Sequence, residues 1–235
     1  MIFVTGDVHG SYDGGKLFGF ENSDVGKQLT RSDYLIIAGD FGYIWDTDSD
    51  KDLDWLATLP YTILFVDGNH ENFDILNGYP VSQWNGGKVH IIRDNVIHLM
   101  RGQIFAISGR TFFTFGGAES IDREGREEGV SWWPQEVPSE SEKREARKNL
   151  EKAGYKVDYV ITHTVNTGAL THRDSPMSNY RFDPTETTDF LEFVERMVDY
   201  KVWFFGHYHL DMPVSKNKVA LYNQVLRLKA EADGL

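Results

Sequence analysis

Short apolar runs recur along the chain, and each closes on glycine or a polar side chain. They read IFVTGD (2–7), YLIIAGD (34–40), TILFVDGNH (62–70), VDYVITH (157–163) and VWFFGHYH (202–209). Their apolar stretches are rich in Ile, Val, Phe and Tyr and nearly continuous, which suits strands buried on both faces. Helical patterns lie between them. Residues 50–59 place Leu53, Leu56 and Leu59 on one face behind Asp50 as N-cap. Residues 139–154 open on a capping box, Ser139 with Glu142, and stop at Gly154. Residues 183–200 carry Asp183 as N-cap, Pro184 at the first helical position and Glu186 three residues after the cap, with an apolar stripe of Phe190, Phe193, Val194 and Met197. Between 88 and 115 the segments KVHII, NVIHLM, QIFAIS and RTFFTFGG are separated only by turns, a strand meander, and 211–229 reads as hairpins. Alternating βα units followed by consecutive strands predict an α/β core of two packed sheets with helices outside.

The polar chemistry gathers where these runs end. The first gives Asp7 and His9, the second Asp40, the third Asn69 and His70, a later one His163, and the last His207 and His209. In open α/β sheets, ligands bind outside the carboxyl ends of the strands. Neutral imidazole is the commonest metal ligand among side chains, and five of the eight histidines stand at these ends. In an extended backbone residues i and i+2 face one side, so His207 and His209 are expected to converge, with Gly206 giving the backbone room. His90 and His98 read as ordinary strand histidines, and His172 has no such context.

Composition narrows the choices. There is no cysteine, so any metal must be held by oxygen and imidazole nitrogen. The net charge of −12 and a pI near 5.1 oppose duplex nucleic acid and anionic membrane as partners. The 235 residues, 40% hydrophobic, predict one domain over 1–235. The N-terminal run is too short for a signal peptide, and no stretch of about 18 apolar residues occurs, so the cytoplasm is the expected location.

GDVHG (6–10), GD (39–40), GNHE (68–71), then His163 and GHYH (206–209), in this order, resemble the calcineurin-like metallophosphoesterase family, with motifs spanning 6–209. The resemblance implies a four-layer αββα sandwich, two mixed β-sheets flanked by helices, holding two divalent metal ions. It implies Asp7, His9, Asp40 and His209 on one ion and Asp40, Asn69, His163 and His207 on the other, with Asp40 bridging. It implies in-line attack on a phosphate ester by a hydroxide shared between the ions, with His70 binding a phosphate oxygen or protonating the leaving group. Asp40 and His70 are thus the expected catalytic residues. Two metals about 3.5–4 Å apart can clamp the attacking and leaving oxygens of such a displacement. The donor set suits Mn, Fe, Zn, Ni or Co, with manganese the first expectation. The expected partner is a small phosphorylated substrate, and the oligomeric state is open.

The chain also departs from the family. Many of its phosphatases follow GD with an Asp that orients the catalytic His and an Arg that grips phosphate. Tyr43 and Ile44 stand in those places here. Asp46 and Glu71 are candidates to replace the carboxylate beside His70. His163 sits in ITHT rather than the GHxP of many relatives, and its small neighbours keep the ligand role open. Two long segments, 116–136 and 162–184, carry arginines suited to bidentate phosphate binding, Arg123 or Arg126 and Arg173 or Arg181, with Arg123 and Arg181 foremost. Trp132 and Trp133 are expected to pack. Loss of the usual arginine predicts a preference for diesters or nucleotide-type substrates over phosphoproteins. No G-x-G-x-x-G follows a strand and no G-x-S-x-G occurs, which opposes a dinucleotide oxidoreductase and a serine hydrolase. A nuclease of the same superfamily is opposed by the charge. A non-catalytic metal-binding or protein-interaction module on the same fold is opposed by every ligand position being filled.

Overall fold

The computed structural model describes residues 1–46 and 50–229. Strand β1 (Ile2–Thr5), helix α1 (Gly15–Asn22), β2 (Tyr34–Ala38), α2 (Asp50–Thr58), β3 (Thr62–Val66) and the short α3 (Phe73–Leu76) come first. Five strands follow, β4 (Val81–Trp84), β5 (Gly87–Arg93), β6 (Val96–Leu99), β7 (Gln103–Ile107) and β8 (Arg110–Phe115). The remainder is α4 (Glu140–Lys152), β9 (Tyr159–Thr162), α5 (Thr167–Thr171), α6 (Glu186–Met197), β10 (Val202–Phe205), β11 (Met212–Ser215), β12 (Lys218–Ala220) and β13 (Leu226–Arg227). Among these residues no helix is long and apolar enough to cross a membrane.

The strands form two mixed sheets, ordered β13-β1-β2-β3-β6-β5-β4 and β11-β12-β10-β9-β8-β7. β1, β2, β3 and β6 run parallel in the first sheet, and β8, β9, β10 and β12 in the second. The central strands divide their side chains between two layers, as a period of two requires. Phe3, Leu35, Ile37, Ile63 and Phe65 pack under Leu17 of α1 and Leu53 and Leu56 of α2. The alternate residues Val4, Ile36, Leu64 and Val66 meet Phe105, Phe112, Ile161 and Phe204 of the second sheet. The outer face of that sheet, with Phe113, Phe115, Val160 and Phe205, is covered by Ala146 and Leu150 of α4 and Leu191 and Val194 of α6. The result is the four-layer αββα sandwich. Its central runs are continuous because both faces are covered, and each such side chain contributes about 1.5–3 kcal/mol on burial.

Several local expectations are corrected. Asp50 is the first helical residue of α2 rather than its cap, and the residue before it lies outside the described ones. α6 starts at Glu186, capped by Thr185 in a box with Thr188, not by Asp183. The Thr185 hydroxyl and the Glu119 carboxylate take the first free N–H groups, those of Thr188 and Thr187. Of the predicted stripe, Met197 is exposed, and the buried face runs through Phe190, Leu191 and Val194. The meander is split, since β5 and β6 belong to the first sheet and β7 and β8 to the second. The C-terminal stretch makes one hairpin, β11–β12, before β13 crosses to pair with β1. The box at Ser139 and Glu142 and the stop before Gly154, whose φ is +64°, are as predicted.

Asn95, in the β5–β6 turn, ties this layer together. Its buried Nδ2 donates to the carbonyls of Leu56 (3.0 Å), Leu59 (3.4 Å) and Tyr61 (3.0 Å) at the end of α2. Asn95→Ala strands those acceptors where water does not reach, and we expect a loss of about 2–4 kcal/mol. The check is a urea melt in which the midpoint falls and the slope is unchanged.

Candidate metal centre

Five parallel strands end on one rim of the sandwich, and each delivers its polar residues just beyond its last paired position. β1 delivers Asp7 and His9, β2 Asp40, β3 Asn69 and His70, β9 His163, and β10 His207 and His209. The chain turns sharply to do so. His9, Asp40, His207 and His209 have φ of 49°, 44°, 68° and 51°, all left-handed. Each such residue costs about 1–2 kcal/mol, and strain of this kind concentrates at functional sites. His207 and His209 are therefore not extended and do not share one spot. His207 Nδ1 lies 2.9 Å from Asn69 Oδ1, while His209 Nε2 lies 3.3 Å from Asp7 Oδ2.

Three glycines let the side chains come this close. A Cβ on Gly39 would stand 2.0 Å from His163 Nδ1, on Gly68 2.0 Å from Asp40 Oδ1, and on Gly206 2.0 Å from Asp7 Oδ1. Backbone donors then fix the carboxylates. His207 N–H donates to both Asp7 oxygens (2.9 and 3.0 Å), and His70 N–H donates to Asp40 Oδ1 (2.7 Å).

Asp40 stands in the middle. Its Oδ2 is 3.2 Å from His9 Nε2 and its Oδ1 is 3.4 Å from His163 Nε2. Asn69 Nδ2 donates to Ser120 Oγ (3.2 Å), which turns Oδ1 to His163 Nε2 and His207 Nδ1, both at 2.9 Å. His163 Nδ1 donates to the Ala38 carbonyl (3.0 Å), so its neutral ring points a lone pair at two oxygens. His9 is set the same way, with Nδ1 on Asp13 Oδ2 (2.7 Å). Lone pairs converging on one spot require a proton or a cation between them. In the metal-free protein that demand falls on protons. Burial alone would lower His163 and His9, but the Asp40 carboxylate, with Asp7, overrides it and raises them to about 10 and about 9. Burial, then His163, pushes His207 down to about 3. Imidazole, carboxylate and amide oxygen with fixed outer partners suit a divalent metal ion.

His70 faces the open side. Arg126 Nη1 donates to its Nδ1 (2.9 Å), and Asp122 (2.7 and 2.9 Å) and the Ser131 carbonyl (3.1 Å) hold that guanidinium. Burial lowers His70 from its ordinary value; Asp40 opposes this and Arg126 adds to it. Arg126 is thus the arginine brought to the site. Arg123 lies over the Trp132 ring (4.0 Å), and Arg123, Arg173 and Arg181 are exposed and do not line the cavity there. Glu71 does not partner His70. It is fully buried and accepts from the N–H groups of Phe41 (2.7 Å) and Gly42 (3.2 Å), bracing the loop after Asp40. Asp46 lines the cavity. Tyr43 and Ile44 pack into the apolar layer, which is where the family's Asp and Arg are lost. Trp132 and Trp133 are buried, and Trp133 Nε1 donates to Asp74 (2.8 Å).

Some supports escaped the sequence reading. Asp13 orients His9, and Tyr222 donates to Asp13 (3.0 Å) while stacking on His209 at 4.4 Å. Lys16 Nζ donates to the carbonyls of Gly6, Asp7 and Tyr222. His98 is more than a strand histidine: with Arg101 it grips buried Asp67, at 3.1 and 2.7 Å, two residues before Asn69. His90 packs against His98 (3.1 Å). Asp13 could have been flagged by its i+4 spacing from His9; the others are far apart in the chain.

A four-layer sandwich with a rim of imidazoles and carboxylates at its strand ends is the architecture of a metallophosphoesterase. The model of the calcineurin-like phosphoesterase family matches residues 1–211, and the chain belongs to that family. The family is one of phosphoesterases. Among solved structures, the chain is similar to a putative 5'-nucleotidase from Staphylococcus aureus, in complex with alpha-ketoglutarate, at 15% identity and a TM-score of 0.48, over 94% of this chain and 48% of that one. It therefore spans about half the length of that protein. No curated protein matches the sequence.

The close approach of Gly206 to Asp7 gives a test of the rim. Gly206→Ala would drive a methyl into the Asp7 carboxylate. We expect a folded protein, by circular dichroism, with metal affinity lowered roughly 10–100-fold, the range for loss of ligand support. Unchanged affinity by metal titration would contradict the placement.

Proposed function

We propose that the chain is a dinuclear metal-dependent phosphoesterase with Asp40 shared between two divalent ions. The observation that carries this reading is the division of Asp40, one oxygen toward His9 and the other toward His163. Asp7, His9 and His209, whose ligand atoms lie within 4.8 Å of one another, would hold one ion with Asp40. Asn69, His163 and His207 would hold the other. Two divalent ions bound there would neutralise phosphate oxygens and acidify water, and manganese is the first candidate among the metals that suit these ligands. The Arg126 guanidinium lies against both ring nitrogens of His70, 2.9 Å from Nδ1 and 3.4 Å from Nε2. Once a phosphate draws the guanidinium to itself, the His70 ring would be free to bind a phosphate oxygen or to protonate the departing one. A metal-binding module without turnover would have no use for His70 and Arg126 at the mouth, which favours the enzyme.

Asp40→Asn is the direct test. The shared ligand would lose its charge, so hydrolysis of an aryl phosphate should be abolished and metal content should fall. Near-normal turnover with two ions bound would contradict the scheme. His70→Ala should keep both ions and lose roughly 10²–10⁴ in rate, less with nitrophenolate as leaving group. Because His70 also lies within 4.8 Å of ligand atoms of His9 and Asp40, loss of metal in that variant would make it a ligand instead.

Charge balance also supports a substrate preference. Arg126 shares its charge with Asp122, and Asp13, Asp46 and Asp52 are among the residues that line the cavity. A diester monoanion suits this better than a monoester dianion. On matched aryl esters, kcat/KM should favour the diester, and Arg126→Ala should depress the monoester more. A wild type far faster on the monoester and indifferent to Arg126→Ala would overturn this preference.

A further inference from the structure

The two groups of candidate ligands differ in how the protein holds them. His163 is fully buried and Asn69 nearly so. His209, by contrast, leaves 49% of its side chain in solvent, on a backbone turned left-handed at φ 51°. A ring so exposed has rotamers to lose before it can serve as a ligand, and that ordering costs free energy. A neighbour that holds the ring in place removes the cost beforehand. Tyr222 is that neighbour. Its ring lies parallel to the His209 ring, with 4.4 Å between centres and 10° between planes.

The same residue reaches the other imidazole of this group. The Tyr222 hydroxyl donates to Asp13 Oδ2 (3.0 Å), and that oxygen also accepts from His9 Nδ1 (2.7 Å). Two donors on one oxygen fix the carboxylate, and the carboxylate fixes the His9 ring with Nε2 toward Asp40 (3.2 Å). Outer partners of this kind set the tautomer and direction of a ligating imidazole. Tyr222 is itself anchored. The Asp211 carboxylate accepts from the N–H groups of Tyr222 (2.8 Å), Asn223 (3.0 Å) and Gln224 (3.0 Å), and Lys16 Nζ donates to the Tyr222 carbonyl. The second group of ligands has different neighbours: Ser120 for Asn69, the Ala38 carbonyl for His163, and Tyr208, edge to face at 4.8 Å, for His207. Tyr222, between β12 and β13, also lies past residue 211, where the match to the family model ends.

We infer that Tyr222 is a positioning residue for one ion alone, the ion on Asp7, His9 and His209, and that it acts through two arms, the ring on His209 and the hydroxyl on Asp13. The assignment of two ions rests on the phosphoesterase reading; the contacts of Tyr222 do not. Without Tyr222 the His209 ring regains its rotamers and Asp13 loses one of its two donors. Both imidazoles must then be ordered as the ion binds, and its affinity falls by that cost. Asn69, His163 and His207 keep all their supports. A residue that merely packed at the rim would weaken both ions or neither.

Calorimetric titration of the metal-free protein with manganese tests this. The wild type should take two ions, and His209→Ala marks which binding event belongs to the His209 group. We expect Tyr222→Ala to weaken that event roughly 10–100-fold, the range for loss of an outer partner, and to leave the other unchanged. Tyr222→Phe keeps the ring and loses only the hydroxyl, so its affinity should fall between those of the wild type and Tyr222→Ala. Folding is read by circular dichroism. If Tyr222→Ala does not fold, Tyr222→Phe decides, by weakening the His209 event and not the other. Equal loss at both events, loss at neither, or a Tyr222→Phe variant matching either the wild type or Tyr222→Ala would overturn the inference. A wild type that takes a single ion contradicts the two-ion reading instead. The role of Tyr222 then stands if that ion is lost in His209→Ala and weakened in Tyr222→Phe, and falls otherwise.

Discussion

The buried charge of Asp40 is the constraint from which the site follows. Its carboxylate is 1% exposed at the rim between the sheets, and removing such an anion from water costs several kcal/mol unless it is paired. The partners are imidazoles on different strands, His9 and His163, with the His70 N–H as a further donor. Burial would raise the Asp40 carboxyl, but His163 beside it holds it well below the usual range. A buried anion that draws protons onto the imidazoles beside it sits where a cation is stabilised. The left-handed turns and the glycines that admit them exist to bring those groups within reach of it.

That geometry is expensive locally, and the layers beneath sustain it. Four strained residues cluster on one rim, while the strands that carry them are buried on both faces. A second buried ion pair acts one step back. Burial would raise Asp67, yet Arg101, with His98, keeps its carboxyl well below the carboxylate range. The Asp67 carbonyl accepts from Gly117 N–H (2.9 Å), which pins the start of the 116–136 segment to the end of β3. The same segment returns through Ser120, held by Glu136 (2.8 Å), to orient Asn69. The Asn69 amide is therefore aimed by contacts through Ser120 and Glu136, which lie far from it in the chain.

The layer order and the rim were legible because they are local patterns repeated. An apolar run, a glycine and a ligand-type side chain recur at five strand ends, and the double-sided burial of those strands shows as a lack of alternation. What was not legible depends on long-range choice. Nothing near residues 99–103 states that β7 leaves the sheet of β6. Asp183 and Thr185 are both good caps, and the contact from Glu119, far away in sequence, accompanies the later start. The pair at His207 and His209 was read as extended and is left-handed at both positions, so the histidines part toward different neighbours. Arg123 and Arg126 are three residues apart in one loop, and only Asp122 and the Ser131 carbonyl decide that Arg126 reaches His70.

The overall acidity of the chain is a poor guide to what enters this site. A net charge of −12 would repel a phosphate at long range, but at physiological ionic strength charges are screened over about 8 Å. Only groups close to the cavity then act on the ligand. These are the imidazoles of His9, His70 and His209, the Arg126 guanidinium and the carboxylates of Asp13, Asp46 and Asp52. Those carboxylates belong to the same acidic surplus that argues against nucleic acid as a partner. Within the cavity it is the charge close to a ligand, and not the total of the chain, that sets what can bind.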